Sequence, residues 1–133
     1  MSFLLDTHVW IWSQQQPDKL GPQATRDLSD PITPLFVSTV STLEIARLLA
    51  AKRIELTGTL QSWISDSLDL LLCKSIEVSH QIALEAYSLP GAFHKDPADR
   101  ILVATARLHG LTVLTADERI LDYGNVKAQD ASL

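Results

Sequence analysis

Cysteine is nearly missing from this chain: Cys73 is the only one among 133 residues. A single thiol in an apolar run builds no disulfide framework and is expected to be buried, in a reducing compartment. Histidine is confined to His8, His80, His94 and His109, without ligand spacing, so a zinc site is not expected either. No apolar stretch reaches the roughly 18 residues of a membrane-spanning helix. The amino-terminal segment has no basic region and meets a carboxylate at Asp6, against a secretory signal. A cytoplasmic location with no membrane partner is expected. Internal repeats, linkers and low-complexity segments are also lacking, which points to a single domain over residues 1–133.

A surplus of basic charge is missing too. Eleven Lys and Arg face sixteen Asp and Glu, for a formal net charge of -5. That disfavours a broad, non-specific duplex binder, which needs cations to neutralise phosphates. It weighs less against a nuclease, because acids that hold divalent metal have their charge offset locally. Basic residues also gather near the candidate acids: Arg47, Lys52 and Arg53 in one half, Lys95, Arg100 and Arg119 in the other.

The residues that are present alternate between buried-strand runs and helical patterns. Phe3-Leu4-Leu5 reads as a strand, and His8 to Gln15 as a short helix that Pro17 stops. Pro22 to Leu28 is a second helix with proline at its start, and Leu35-Phe36-Val37 a second strand. Ser38, Thr39 and Ser41 offer N-caps, and Glu44 stands three residues after Ser41, the capping-box spacing. That helix runs to Ala50 and is closed by Lys52 and Arg53, where cations suit the helix dipole. Leu60, Ile64, Leu68 and Leu71 mark one face of a third long helix, and Leu72-Cys73 is open to either helix or strand. Ile76 and Val78 suggest a strand, and His80 to Ser88 a helix. Leu89 to Pro97, with two prolines and a glycine, cannot be regular. Asp99 opens an apolar helix that Gly110 ends; Leu111 to Leu114 is a strand, Glu118 to Leu121 a helical turn. An edge strand is expected around Val126, followed by a fraying tail. The alternation predicts an α/β fold with a mostly parallel sheet covered on both faces.

Four acids stand at the hand-over points: Asp6, Glu44, Asp99 and Asp117. Asp6 and Asp117 follow apolar strands, and a parallel sheet brings the carboxyl ends of its strands to one edge, where ligands bind. Right-handed crossovers bring the helix starts that carry Glu44 and Asp99 to the same edge. Oxygen ligands of this kind suit Mg²⁺, and such ions serve in-line phosphodiester cleavage. Taken singly, Glu44, Asp99 and Asp117 also have a plain reading as stabilisers of a helix's first turn. An unpaired charge at the end of a buried strand is costly, which leaves Asp6 without that excuse. Thr7 and Thr115 are hydroxyls beside the proposed ligands. Asp96, before Pro97, is read as a helix cap or an outer support, and Arg100 as a phosphate contact or a brace for Asp96. A phosphoacceptor domain would want an acidic pair near the first strand and a lysine after a late one, and a haloacid-type phosphatase Asp-x-Asp; Asp6-Thr7-His8 and Thr115-Ala116-Asp117 offer neither.

Leu4-Leu5-Asp6-Thr7-His8, Ser38-x-x-Ser41-x-x-Glu44-Ile45, His94-x-Asp96-Pro97-x-Asp99-Arg100-x-Leu102-Val103-Ala104-x-Ala106 and Leu114-Thr115-x-Asp117 together resemble the PIN-domain ribonucleases, above all the VapC toxins of bacterial toxin–antitoxin pairs. The resemblance spans nearly the whole chain. It implies a three-layer α/β/α sandwich and a Mg²⁺- or Mn²⁺-dependent endoribonuclease. Asp6, Glu44, Asp99 and Asp117 would form its acidic quartet, with Thr115 in support. It also implies a homodimer, neutralised in a hetero-oligomer by a small cognate antitoxin whose C-terminal segment fills the cleft. Leu43 and Ala98 stand where many relatives carry Trp and Phe, both packing positions. RNA products with 5′-phosphate and 3′-hydroxyl ends follow, from single-stranded or looped substrate, with Lys52, Arg53 and the loop up to Lys95 as the expected substrate contacts. Large apolar side chains, Trp10, Trp12, Trp63 and Phe93, are expected in part at the dimer interface. The alternative is a catalytically inactive domain that binds protein or RNA.

Overall fold

A computed structural model describes residues 1–133. Five short strands, β1 (Phe3–Leu5), β2 (Leu35–Ser38), β3 (Cys73–Ile76), β4 (Thr112–Thr115) and β5 (Ala128–Asp130), form one sheet in the order β3-β2-β1-β4-β5. Every pairing is parallel. The helices are α1 (Thr7–Gln15), α2 (Pro22–Ser29), α3 (Thr39–Ala50), α4 (Leu60–Leu71), α5 (His80–Ala86), α6 (Pro97–His109) and α7 (Glu118–Leu121). None is long and apolar enough to cross a membrane.

Strand side chains alternate between faces, and the core divides accordingly. Phe3 and Leu5 of β1 pack in one cluster with Val9, Trp10, Ala24 and Leu28, while Leu4 joins Ile82, Leu102, Val103 and Ile120 in the other. β1 and β4 are buried throughout, which is why they read as unbroken apolar runs rather than alternating ones. Trp10 is fully buried, stacks obliquely on Trp63 at 5.0 Å and donates its indole N–H to Ser67 Oγ at 2.9 Å. It is therefore core, not dimer interface. A buried indole needs such a partner, and Ser67 supplies one that the apolar stripe of α4 did not advertise.

The chain leaves β1 for β2 and β3 on one side, and returns to β4 and β5 on the other. The switch point therefore lies between the carboxyl ends of β1 and β4, where Asp6 and Asp117 follow, and such crevices hold ligands in open α/β sheets.

Several boundaries differ from the sequence reading for local reasons. Helix α3 is capped by Ser38, whose hydroxyl accepts from the Val40 amide. Glu44 therefore falls in the second turn, and Ser41 forms no capping box with it. Leu72 adopts a left-handed conformation (φ 53°) that ends α4, so β3 begins at Cys73, ahead of Ile76. The edge strand lies at Ala128–Asp130 rather than around Val126, and the tail does not fray. Ala131 is fully buried, and the Leu133 carbonyl accepts from the amides of Gln23 and Ala24, at the open start of α2.

Gly21 is required for that closure. Its φ of -73° would suit any residue, but an added Cβ would lie 2.1 Å from the Leu133 carbonyl carbon. Backbone cannot yield as a flexible side chain can. Gly21→Ala is expected to destabilise the fold by about 1–3 kcal/mol, the usual cost of forced overpacking. An unchanged urea midpoint would show that the tail is not clamped there.

Candidate functional site

At the switch point lies a cavity of about 400 Å³ whose lining includes Asp6, Glu44, Asp96, Asp99 and Asp117, with Arg47 and Arg119 as its only cationic guanidinium groups. All four strand- and helix-start acids are thus brought to one crevice. Asp6 occupies the N-cap position of α1, yet its carboxylate makes no cap hydrogen bond. It accepts instead from Thr115 Oγ1 at 2.6 Å, across the switch point. The same Thr115 oxygen receives the Asp117 amide at 2.9 Å, so one hydroxyl ties the end of β1 to the turn after β4. Thr7 Oγ1 lies 2.6 Å from Glu44 Oε1 and 2.8 Å from Ser41 Oγ. A hydroxyl has one proton and an ionised carboxylate only accepts, so Thr7 donates to Glu44.

The plain helix-cap reading holds for two of the acids. Asp96 caps α6, accepting from the amides of Ala98 and Asp99. Asp117 caps α7 through the Arg119 amide. Because Asp96 does the capping, Asp99 in the first turn of α6 is left free to face the cavity.

Burial raises the Asp6 carboxyl above its ordinary range and does the same to Glu44. Asp99 is pushed up to about 7, first by burial and then by repulsion from Asp6, Asp96, Asp117 and Glu44. Asp117 moves the other way, because the Arg119 guanidinium binds it in a fork with contacts of 2.9 and 3.2 Å. Arg119 also reaches Asp99 at 4.0 Å. His94 Nε2 lies 2.9 Å from Asp99 Oδ2 but off the hydrogen-bonding direction, which leaves that nitrogen buried without a hydrogen-bond partner. Burial lowers the His94 pKa while it raises that of Asp99, so both lean toward their neutral forms and the contact is not a full ion pair.

Arg100 does not brace Asp96. Its guanidinium donates to the carbonyls of Ala86, Phe93 and His94 at 2.8, 3.1 and 3.2 Å and lies 4.9 Å over the Tyr87 ring. It pins the loop before α6 to α5, and with it His94 against Asp99. Lys52 and Lys95 are exposed and outside the cavity, while Arg53 lines a neighbouring groove. Sequence reasoning passed over His94 and Arg119 as site residues. His94 stood in the motif before α6, and Arg119 lies two residues past Asp117, the reach of an N-cap.

A family model described as PIN domain matches residues 3–126. The chain belongs to the PIN domain family. This PIN domain is 32% identical over 120 residues to Ribonuclease VapC22 of Mycobacterium tuberculosis, covering 90% of each. Its fold is similar to a chain of the VapBC2 complex of Rickettsia felis bound to a promoter DNA fragment, with a TM-score of 0.71, 15% identity and 97% and 98% of the two chains covered. It is likewise similar to a chain of a toxin–antitoxin complex from Klebsiella pneumoniae, with a TM-score of 0.64, 19% identity and 96% of each covered.

The raised Asp99 pKa has a consequence for stability. Folded protein holds that proton up to about pH 7, whereas an unfolded aspartate releases it near pH 4. Stability arising from this group therefore falls as pH rises through that window. In chelator, Asp99→Asn is expected to exceed wild type at pH 8 by a few kcal/mol, with the gap closing as pH falls from 7 to about 4. Parallel urea midpoints for the two proteins from pH 4 to 8 would contradict it.

Proposed function

We propose that this PIN domain is a divalent-metal-dependent endoribonuclease, the toxin of a toxin–antitoxin pair, with Asp6, Glu44, Asp99 and Asp117 as its metal-holding acids. The observation that carries the reading is the uncompensated charge at the switch point. Asp6 and Asp99 are buried, have raised pKa values, and serve no capping purpose. Hard carboxylate oxygens in a cavity this size fit Mg²⁺ or Mn²⁺. PIN-domain ribonucleases generally depend on divalent metal, and the likeness to a ribonuclease over most of the chain supports the substrate class.

A bound divalent cation supplies charge neutralisation and a reactive water at neutral pH. The chain's own residues do the rest. Thr115 and Thr7 hold the carboxylates of Asp6 and Glu44 with charge-assisted hydrogen bonds, fixing where oxygen is offered. Asp117 would help to hold the cation, and Arg119, exposed at the rim and paired with Asp117 in its absence, would then be available to a substrate phosphate. Water attacks phosphorus in line and the 3′-oxygen leaves, giving 5′-phosphate and 3′-hydroxyl ends. Asp96 and Arg100 act as supports, the first through the start of α6 and the second through the His94 loop. Single-stranded or looped RNA suits a reader of unstacked bases. A small cognate antitoxin is the proposed protein partner, covering the cavity in a hetero-oligomer.

The inactive-module alternative draws on one observation: as placed, no three Asp, Glu, His or Cys side chains stand close enough to share one ion. In the same arrangement Asp117 is paired with Arg119, and Asp6 and Glu44 are each hydrogen-bonded to a threonine. Incubation of purified protein with RNA and Mg²⁺ or Mn²⁺ decides between them. Wild type is expected to cut, with loss in chelator and at least a hundredfold loss in Asp6→Asn. Cyclic 2′,3′-phosphate ends would exclude the mechanism, and silence of wild type under both metals would favour the binding module.

The homodimer also belongs to this reading. With Trp10 in the core, the surface for a second copy would draw on exposed apolar side chains, among them Ile32, Leu43, Leu70, Leu72, Leu84 and Tyr87. Light scattering at micromolar protein is expected to give about twice 14.7 kDa; monomer mass at every concentration would rule the dimer out.

A further inference from the structure

Beside the acidic cavity runs a second and larger one, about 830 Å³, between α1 and the segment after α3. The two share His8 and Trp12 in their linings and are therefore adjacent. Their characters differ. Five carboxylates face two guanidinium groups in the first, whereas Lys19 and Arg53 outweigh Glu55 in the second. Trp12 is half-buried and stands at the junction, with Lys19 Nζ 5.4 Å from its ring and His8 at 6.1 Å between centroids. Trp63 forms part of the far wall, and Gln14 offers an amide. The opposite wall is fastened by Gln15, which donates to the Glu55 carbonyl at 3.1 Å.

We propose that this groove is the subsite for single-stranded RNA flanking the cut, with one nucleobase stacked on Trp12 and the adjoining phosphates met by Lys19 and Arg53. The inference rests on the nuclease reading of the neighbouring cavity and names where its substrate lies. A strand leaving an anionic, metal-loaded site must find cations and a stacking platform nearby, the pairing that single-stranded nucleic-acid grooves use. Basic charge at the groove also answers the overall acidity of the protein, since only a short track needs to be cationic.

The probe is a labelled single-stranded oligoribonucleotide of mixed sequence, bound by wild type and variants in chelator and cut by the same proteins with Mn²⁺. Trp12→Ala is expected to bind roughly tenfold more weakly, and Trp12→Phe to recover most of that loss, which separates stacking from misfolding. Lys19→Gln and Arg53→Gln, both at exposed positions, should each reduce the salt dependence, log Kd against log salt, by about 0.7. Their cleavage loss should fall on KM. Wild type that cuts RNA while all four variants bind and cut like it would overturn the groove alone. Wild type that binds through the groove yet cuts nothing would keep the groove and overturn the nuclease reading. Variants that bind RNA normally but no longer pair with co-expressed antitoxin would assign the groove to the protein partner and overturn the proposal.

Discussion

Asp6 is a carboxylate placed where the sheet can least afford one, at the end of a fully buried strand, and a single hydroxyl holds it there. The Thr115 hydrogen bond links the ends of β1 and β4, the two strands that flank the switch point. Thr115 also receives the amide of Asp117, so the position of one acid sets that of another. The remaining parts of the site follow from this tie. Helix α1 starts beside Asp6 and brings Thr7 under Glu44 of α3; α6 enters behind Asp96 and turns Asp99 inward. A charge cluster of this kind is stable only because a large apolar core on both faces of the sheet outweighs it.

The acids of the crevice do not share their burden evenly. Asp117 has Arg119 and is held low; Asp6 and Asp99, for which burial comes first and Arg119 is at best 4.0 Å away, are pushed up. Arg119 thus serves as an internal counter-ion for only part of the site. In the proposed reading a divalent cation would complete the neutralisation, and without it the apolar core carries the cost. The same account explains the net charge of -5: the excess is concentrated at the crevice, while the flanking groove is basic.

Most of the architecture was legible because strands buried on both faces leave unbroken apolar runs, and proline and glycine mark the helix ends. The parallel sheet, its helices and the meeting of Asp6, Glu44, Asp99 and Asp117 at one crevice follow from that pattern. The misses share a cause, since long-range partners leave no local signature. Nothing near Val126 tells that Leu133 will close the start of α2 and draw the edge strand two residues later. Leu72 in a left-handed conformation breaks the rule that glycine ends helices. Arg100 suggested a phosphate ligand because its carbonyl partners, Ala86 on α5 and Phe93 and His94 in an irregular loop, follow no helical spacing. His94 escaped because a lone histidine says nothing until the loop carrying it is folded against α6.

Asp6, in this reading, belongs to a metal site and not to the architecture alone. Thermal melts of wild type and Asp6→Asn, each in chelator and in Mn²⁺, test it most directly. In chelator the variant should melt at or above wild type, because one buried charge is gone and the shape is kept. Added Mn²⁺ should raise the melting temperature of wild type through binding linkage and leave the variant nearly unmoved. Equal metal-induced shifts in the two proteins would contradict the assignment.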